Sequence, residues 1–311
     1  MTTHDHRAVA GIRLRGGEPA LLVAAALYGV SAVVSVVALR QVRPADLLAI
    51  ELFGAATVLL FVAVWTGRLR RRAALGQILT GALAPGLAYL FGDLGLARTS
   101  ASSGSLLLAA EPLLSVLLAV TVLRERLRIR AVAALAVGLA GSAVVAFGSG
   151  AGDAAGDSAL GNLLVLAASG VAAVYLIAAR RLSDDSDGLN ASAWQATGGA
   201  LTTAPFIVLS WAHGGSRLDT AGPTAWAACA AVLVCGAMAD VAFNRGIGRV
   251  PAARAGQLAN LTPVVGTLTA VVVLGDRPAP LQLAGGVAVL AGLALLLRDP
   301  TSAGTVIDEK G

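Results

Sequence analysis

This sequence predicts an all-α membrane protein with ten transmembrane helices in two inverted five-helix repeats. Three observations carry that prediction. The chain is 57% hydrophobic and only 13% charged, with mean hydropathy +0.79, whereas a soluble domain carries about 25% charged residues. Apolar runs of about 20 residues, the length a helix needs to cross a bilayer, alternate with short arginine-rich loops. One stretch also occurs twice: residues 95–127 and 246–278 superimpose with a shift of 151 positions, so that Gly95 meets Gly246, Arg98 meets Arg249, Pro112 meets Pro263, Glu125 meets Asp276 and Arg126 meets Arg277.

The helices follow in order. A polar, basic tail (1–19) precedes helix 1, about 20–39, whose apolar run is too long for a signal-peptide core and is expected to remain in the protein. Helix 2 covers about 46–66 and carries Glu51. Helix 3, about 74–96, contains Pro85, Tyr89 and Asp93. Helices 4 and 5 cover about 100–123 and 131–148, and the first repeat is 20–148. The glycine-rich segment 149–158 has no preceding strand and no Gly-Lys-Ser/Thr, so it is expected to be a linker and not a phosphate loop. The second repeat, 159–297, holds helices 6 to 10 at about 159–180, 190–211, 223–244, 252–275 and 281–297. A polar tail (298–311) follows. The four tryptophans (65, 194, 211 and 226) fall near span ends, where an interfacial aromatic belt belongs.

Charge sets the expected orientation. With the N-terminus in the cytoplasm, 18 of the 23 Lys and Arg lie in cytoplasmic segments and 5 in outer ones, as the positive-inside rule requires. Both termini are then cytoplasmic. Five helices per repeat, an odd number, make the second repeat enter the membrane inverted, the arrangement of carriers that expose a central site to one side and then the other. The basic balance therefore reflects topology and not nucleic-acid binding. Cys229 and Cys235 sit in one span, six apart, and build neither a disulfide framework nor a metal site. His4-Asp5-His6 lies on the tail and reads as tail.

The repeated small-residue helix with its internal proline, closed by Leu-Arg-Glu-Arg-Leu at 123–127 or Leu-Gly-Asp-Arg-Pro at 274–278, precedes a glycine-containing helix (Gly138 and Gly141; Gly285, Gly286 and Gly292). This pattern, over about 20–297, resembles the EamA domain of the drug/metabolite transporter superfamily. The resemblance implies a ten-helix carrier, commonly an exporter of metabolites, amino acids or drugs, with helices 1, 3, 4, 6, 8 and 9 around a central cavity. Relatives often carry Arg on helix 2 where this chain has Glu51.

Several residues are candidates for binding or coupling. Glu111 sits at the middle of helix 4, where a charge costs about 2.5–3.5 kcal/mol on insertion scales and must face the bundle interior; it is expected to contact a substrate amine or carry a proton, with a structural carboxylate as the alternative. Pro112 and Pro263 lack an N–H and free the carbonyls of Leu108 and Ala259. Gln257, Asn260 and Thr262 cluster around Pro263, and the two kinked segments are expected to face each other across the substrate site. Tyr28 and Tyr89 are cavity-lining candidates. Glu51 and Asp93 are placed toward the outer face and Asp240 toward the inner; Asp93 with Arg98, and Asp240 with Arg245 or Asn244, are expected as gating or structural pairs. Glu125 and Asp276 read as helix-end features.

The expected function is a secondary transporter, an exporter working by alternating access. It needs no cofactor or metal, and its partners are a small-molecule substrate with or without protons and the lipid bilayer, in a monomer or homodimer. The expected location is the cytoplasmic membrane of a bacterium. A membrane-embedded enzyme would need His, Cys or carboxylate clusters at fixed spacing, but the histidines are His4, His6 and His213, outside the spans, and no Gly-x-Ser-x-Gly or His-Glu-x-x-His occurs. A non-transporting scaffold would have no use for an inverted repeat.

Overall fold

The computed structural model describes residues 16–72, 74–122, 129–147, 158–182, 187–250, 258 and 261–298. The first fifteen residues, most of the linker, the 123–127 signature, Gln257 and Asn260 lie outside the described residues.

Ten helical spans run through the described residues, in the order expected. We label them α1 (Glu18–Leu39), α2 (Pro44–Trp65), α3 (Ala74–Leu96), α4 (101–122), α5 (Ile129–Phe147), α6 (Ala159–Leu182), α7 (Gly188–Gly214), α8 (Pro223–Ile247), α9 (Leu261–Leu274) and α10 (Pro280–Arg298). Among the described residues, α1, α2, α3, α6 and α8 are each long and apolar enough to cross a membrane. Helix starts follow local chemistry. Pro44 and Pro223 stand at first-turn positions, where the missing N–H costs nothing, and Ser100 caps α4 by accepting from Ser103 N. The α7 helix runs three residues past its expected end, to Gly214, and starts two early. Asp187 accepts from Leu189 N at its start, and Gly215, at φ 69°, ends it in a left-handed conformation that glycine adopts without strain.

Three helices are interrupted at membrane depth. The α2 helix makes a π turn over Ala49–Phe53, which contains Glu51. The α3 helix makes another over Ala82–Leu87, with Ala84 extended (φ −138°, ψ 126°) before Pro85. The α4 helix breaks at Ala109–Ala110, where the backbone N–H groups bond three residues back, just ahead of Glu111 and Pro112. Proline explains the last two breaks, because it removes a donor and crowds the preceding turn.

The packing has the pseudo-twofold of an inverted repeat. Helix α1 packs on α8 and α9, and its counterpart α6 packs on α3 and α4; α2 with α7, α4 with α9 and α5 with α10 each pair across the axis. Matching glycines make matching contacts. A Cβ on Gly95 of α3 would lie 2.8 Å from the Gly161 carbonyl and 2.9 Å from Val165 N of α6. A Cβ on its repeat partner Gly246 would lie 2.9 Å from the Gly17 carbonyl and 2.7 Å from Leu21 Cγ, at the start of α1. Gly141 and Gly285 bring α5 and α10 together in the same way. Small residues let helix backbones approach where lipid supplies no hydrophobic drive between them. Apolar side chains such as Phe61, Val272 and Val287 point outward instead, as a lipid-facing surface requires.

The repeated acidic residue has a structural role in its second copy. Asp276, beyond the end of α9, accepts from Ser102 N (3.0 Å) and Ser102 Oγ at the start of α4. A carboxylate there also meets the positive end of the helix dipole. Trp65, Trp211 and Trp226 are exposed near span ends, and the indoles of Trp194 and Trp211 donate to Arg70 O and Asp46 Oδ1. Among the described residues the ion pair present is Arg68–Asp187 (3.5 Å), between two loops.

Candidate functional site

The two halves enclose a cavity of about 240 Å³ near the middle of the bundle. Its wall comes from α1, α3, α4, α6, α8 and α9, with one side chain each from α2 (Glu51) and α7 (Gln195). Four carboxyl groups line it: Glu51, Asp93, Glu111 and Asp240. Tyr28, Tyr89, Tyr175 and Phe243 supply aromatic wall, with Phe243 ring centroids 6.4 Å from those of both Tyr28 and Tyr175. No Lys, Arg or His occurs among the described lining residues.

The carboxyls have different surroundings. Asp240 Oδ1 accepts from the hydroxyls of Tyr28 (2.6 Å) and Tyr89 (3.3 Å), which ties α1 and α3 of the first half to α8 of the second. Glu51 and Asp93 lie side by side within hydrogen-bonding reach, at 6% and 4% exposure. A hydrogen bond between two carboxyl groups requires one proton between them. Glu51 Oε2 and Asp93 Oδ2 are buried, and no other described residue donates to them. The π turn of α2 aims Glu51 inward, and the four-residue spacing of Pro85, Tyr89 and Asp93 puts all three on the cavity face of α3.

The second half repeats this arrangement with amides. Asn244, the repeat partner of Asp93, donates to Gln195 Oε1 (2.8 Å) and to Ser192 Oγ (2.9 Å). Gln195 Nε2 donates to Gln77 Oε1 (2.8 Å), and the Tyr175 hydroxyl donates to Gln195 Oε1 (3.2 Å). Counted from the helix starts Pro44 and Gly188, which are 144 apart, Gln195 of α7 stands opposite Glu51 of α2, and it meets Asn244 as Glu51 meets Asp93. The same register pairs Asp46 with Asn190. Asp46 accepts from Arg217 N (3.0 Å) in the α7–α8 loop, and Asn190 accepts from Arg70 N (2.7 Å) in the α2–α3 loop. Glu111 falls opposite Thr262 in the repeat. Every one of these acids in the first half has a neutral counterpart in the second.

Of the residues singled out in the sequence, the structure brings Tyr28, Glu51, Tyr89, Asp93, Glu111, Asp240, Thr262 and Pro263 to one cavity. Gln257 and Asn260 lie outside the described residues. The expected ion pairs are corrected. Asp93 adjoins Glu51 and not Arg98, which is exposed and donates to Leu94 O (2.6 Å). Asp240 bonds two tyrosines and not Arg245, which is exposed at the end of α8, and Asn244 bonds Gln195. Glu51, Asp93 and Asp240 all line the cavity. The π turns that carry Glu51 and precede Tyr89 and Asp93 are invisible to helix numbering along a straight span. Sequence reasoning missed Tyr175, Gln195 and Phe243. The one shift visible in the sequence, 151, sets Glu51 against Thr202, so the correspondence with Gln195 emerges only from where the two helices start, at Pro44 and Gly188.

An inverted pair of helical halves closing on a cavity lined by carboxyl groups is the architecture of a membrane transporter. The chain belongs to the EamA-like transporter family, whose profile matches residues 15–147 and again 159–298. Over 204 residues it is 30% identical to a protein of Streptantibioticus cattleyicolor described as a probable terminal-alkyne amino-acid exporter; the match spans 66% of this chain and 66% of that protein's length. A solved crystal structure 22% identical in sequence shares the fold, with a TM-score of 0.62 over 94% of this chain and 99% of the other.

Proposed function

We propose that this protein is a secondary transporter of a bacterial cytoplasmic membrane that exports a small molecule by alternating access. The observation that carries the reading is the cavity between the two halves, a largely apolar space into which four carboxyl groups project, inside helices whose outer surface is apolar. In this reading the halves 20–148 and 159–297, joined by the linker 149–158, rock about the Tyr28–Asp240 and Tyr89–Asp240 bonds, and both termini are cytoplasmic. The relative's description supports export as the direction, and amino compounds as the substrates to try first. The cavity lies just below the roughly 300–1,000 Å³ of drug-sized sites, which suits a small metabolite. Glu111, open to the cavity beside the α4 break, contacts the substrate.

Counterflow in proteoliposomes tests this. Vesicles loaded with an unlabelled amino compound and given a labelled trace of the same compound should accumulate label transiently, and empty vesicles should not. Glu111→Gln should lower the exchange rate by about 10-fold or more, the effect of losing one charge-assisted contact. No counterflow across a panel of amino acids, amines and peptides would count against a carrier.

A further inference from the structure

We propose that the Glu51–Asp93 carboxyl pair is the anchoring point for a protonated amine, and that the cavity takes small organic cations in preference to zwitterionic amino acids. The proposal rests on the carrier reading for its transport arm, and on the cavity's own chemistry for its binding arm.

The internal repeat acts as a control. The same pair of positions, on the same two helices of the other half, is filled by Gln195 and Asn244. That amide pair saturates itself with Gln77, Ser192 and Tyr175. Packing at this point of the fold is thus met without charge, so the two acids are not there to hold helices together. A second acid shows what a structural carboxylate looks like in this protein. Asp46 is fully buried, and its two oxygens accept from Arg43 N, Trp211 Nε1, Ser216 Oγ and Arg217 N. Glu51 and Asp93 have no such donors: apart from each other, no described residue donates to either carboxyl, Oε2 and Oδ2 are buried without a partner, and both residues line the cavity. Buried acceptors normally find partners, so a ligand bearing N–H groups is the missing one.

The rest of the lining agrees on sign. The phenol donors of Tyr28 and Tyr89 are both spent on Asp240, and the donors of Asn244 on Gln195 and Ser192. No basic side chain is present among the described lining residues to pair with a substrate carboxylate. Aromatic faces at Tyr28, Tyr175 and Phe243 add attraction for a cation. When an ammonium group docks, it donates to both carboxylates, and the single proton the pair shared leaves to solvent. The net charge of site plus ligand is then unchanged, and one cation exchanges for one proton. The titratable groups facing the pair are Tyr28 of α1, Tyr89 of α3, Glu111 of α4, Tyr175 of α6, and Asp240 and Cys229 of α8; α7 presents Gln195 and α9 presents Thr262. None of these is cationic, so none can take the place of the ligand's charge.

Calorimetry on the full chain in lipid nanodiscs tests this with matched probes: phenethylamine against phenylalanine, and but-3-ynylamine against propargylglycine. At least one amine should bind about 10- to 100-fold more tightly than its parent amino acid, the worth of a charge-assisted bond against an unpaired carboxylate. Its apparent heat should vary with the buffer's ionisation enthalpy as one released proton requires. The double variant Glu51→Gln/Asp93→Asn, which copies the amide pair of the other half, should fold and should lose both the preference and the proton release. Asp46→Asn should keep both. The proposal is overturned if neither amine binds the wild type, if the parent amino acids bind as tightly, or if the folded double variant retains the preference. Counterflow of the same probes separates the two readings: amine binding without exchange sinks the carrier and keeps the cation site, while equal exchange of amines and amino acids keeps the carrier and sinks the cation site.

Discussion

Single residues in this protein differ chiefly in how completely their polar atoms are met. Asp46 is met fully, and its loss should be felt as instability. Asp46→Ala removes the acceptor for Trp211 Nε1 and the Ser216–Arg217 turn, and should cost about 1 kcal/mol, the net worth of a hydrogen bond whose donors water can reach. Asp46→Asn keeps an acceptor, as Asn190 does in the other half, and should cost clearly less. Thermal unfolding in detergent ranks the two; equal losses would mean that charge and not acceptor count matters there. Asp276→Ala removes the acceptor for Ser102 N and Oγ and should cost about 1 kcal/mol, as loss of a helix cap does, read in the same assay. Glu51 and Asp93 stand at the other extreme, since their unmet oxygens destabilise the empty protein. The Glu51→Gln/Asp93→Asn variant should therefore unfold no lower than the wild type, and a marked drop would show the acids to be structural after all.

At the scale of helices, close approach is the governing feature. Gly95 and Gly246 leave no room for a methyl group against the facing backbone. Gly95→Ala must push α3 from α6, and Gly246→Ala must push α8 from α1. Each should cost about 1–3 kcal/mol, as overpacking does, and the two should add, because they share no partner. Unfolding of the singles and the double measures this; a strongly non-additive double would mean that the two junctions move as one unit. The breaks in α2, α3 and α4 belong to this scale as well. They open the walls where Glu51, Pro85, Tyr89 and Glu111 face the cavity, and π turns recur at functional sites for this reason. Proline marks two of the breaks in the sequence. The π turn at Glu51 has no proline or glycine inside it, so nothing in the local sequence announces it.

Across the whole molecule the inverted repeat makes predictions about sides. A cysteine at position 70 should react with an impermeant maleimide only when the cytoplasmic face is accessible, and one at position 41 or 218 only from outside. Labelling of 70 and 218 from the same side would overturn the inverted arrangement. The repeat also puts the molecule's charge to uneven use: the halves share a backbone plan, but Asp46, Glu51, Asp93 and Glu111 of the first are answered by Asn190, Gln195, Asn244 and Thr262 in the second.

The sequence by itself determined the number of helices, their order and the repeat that relates the halves, because bilayer crossing demands long apolar runs and repetition is visible as spacing. It also named most of the cavity's acidic and aromatic side chains, since charges within apolar runs are conspicuous. Only the tertiary structure decided which of them meet. Arg98 and Arg245 are near Asp93 and Asp240 in the chain, and proximity along a helix suggested ion pairs. The pairs that form are Glu51 with Asp93, Asp240 with Tyr28 and Tyr89, and Asn244 with Gln195. Each of these joins different helices, and in the case of Asp240 different halves. Such contacts depend on helix rotation, on π turns and on glycine-thin junctions, which arise from packing between segments far apart in the chain and leave no mark in the order of residues within any one of them.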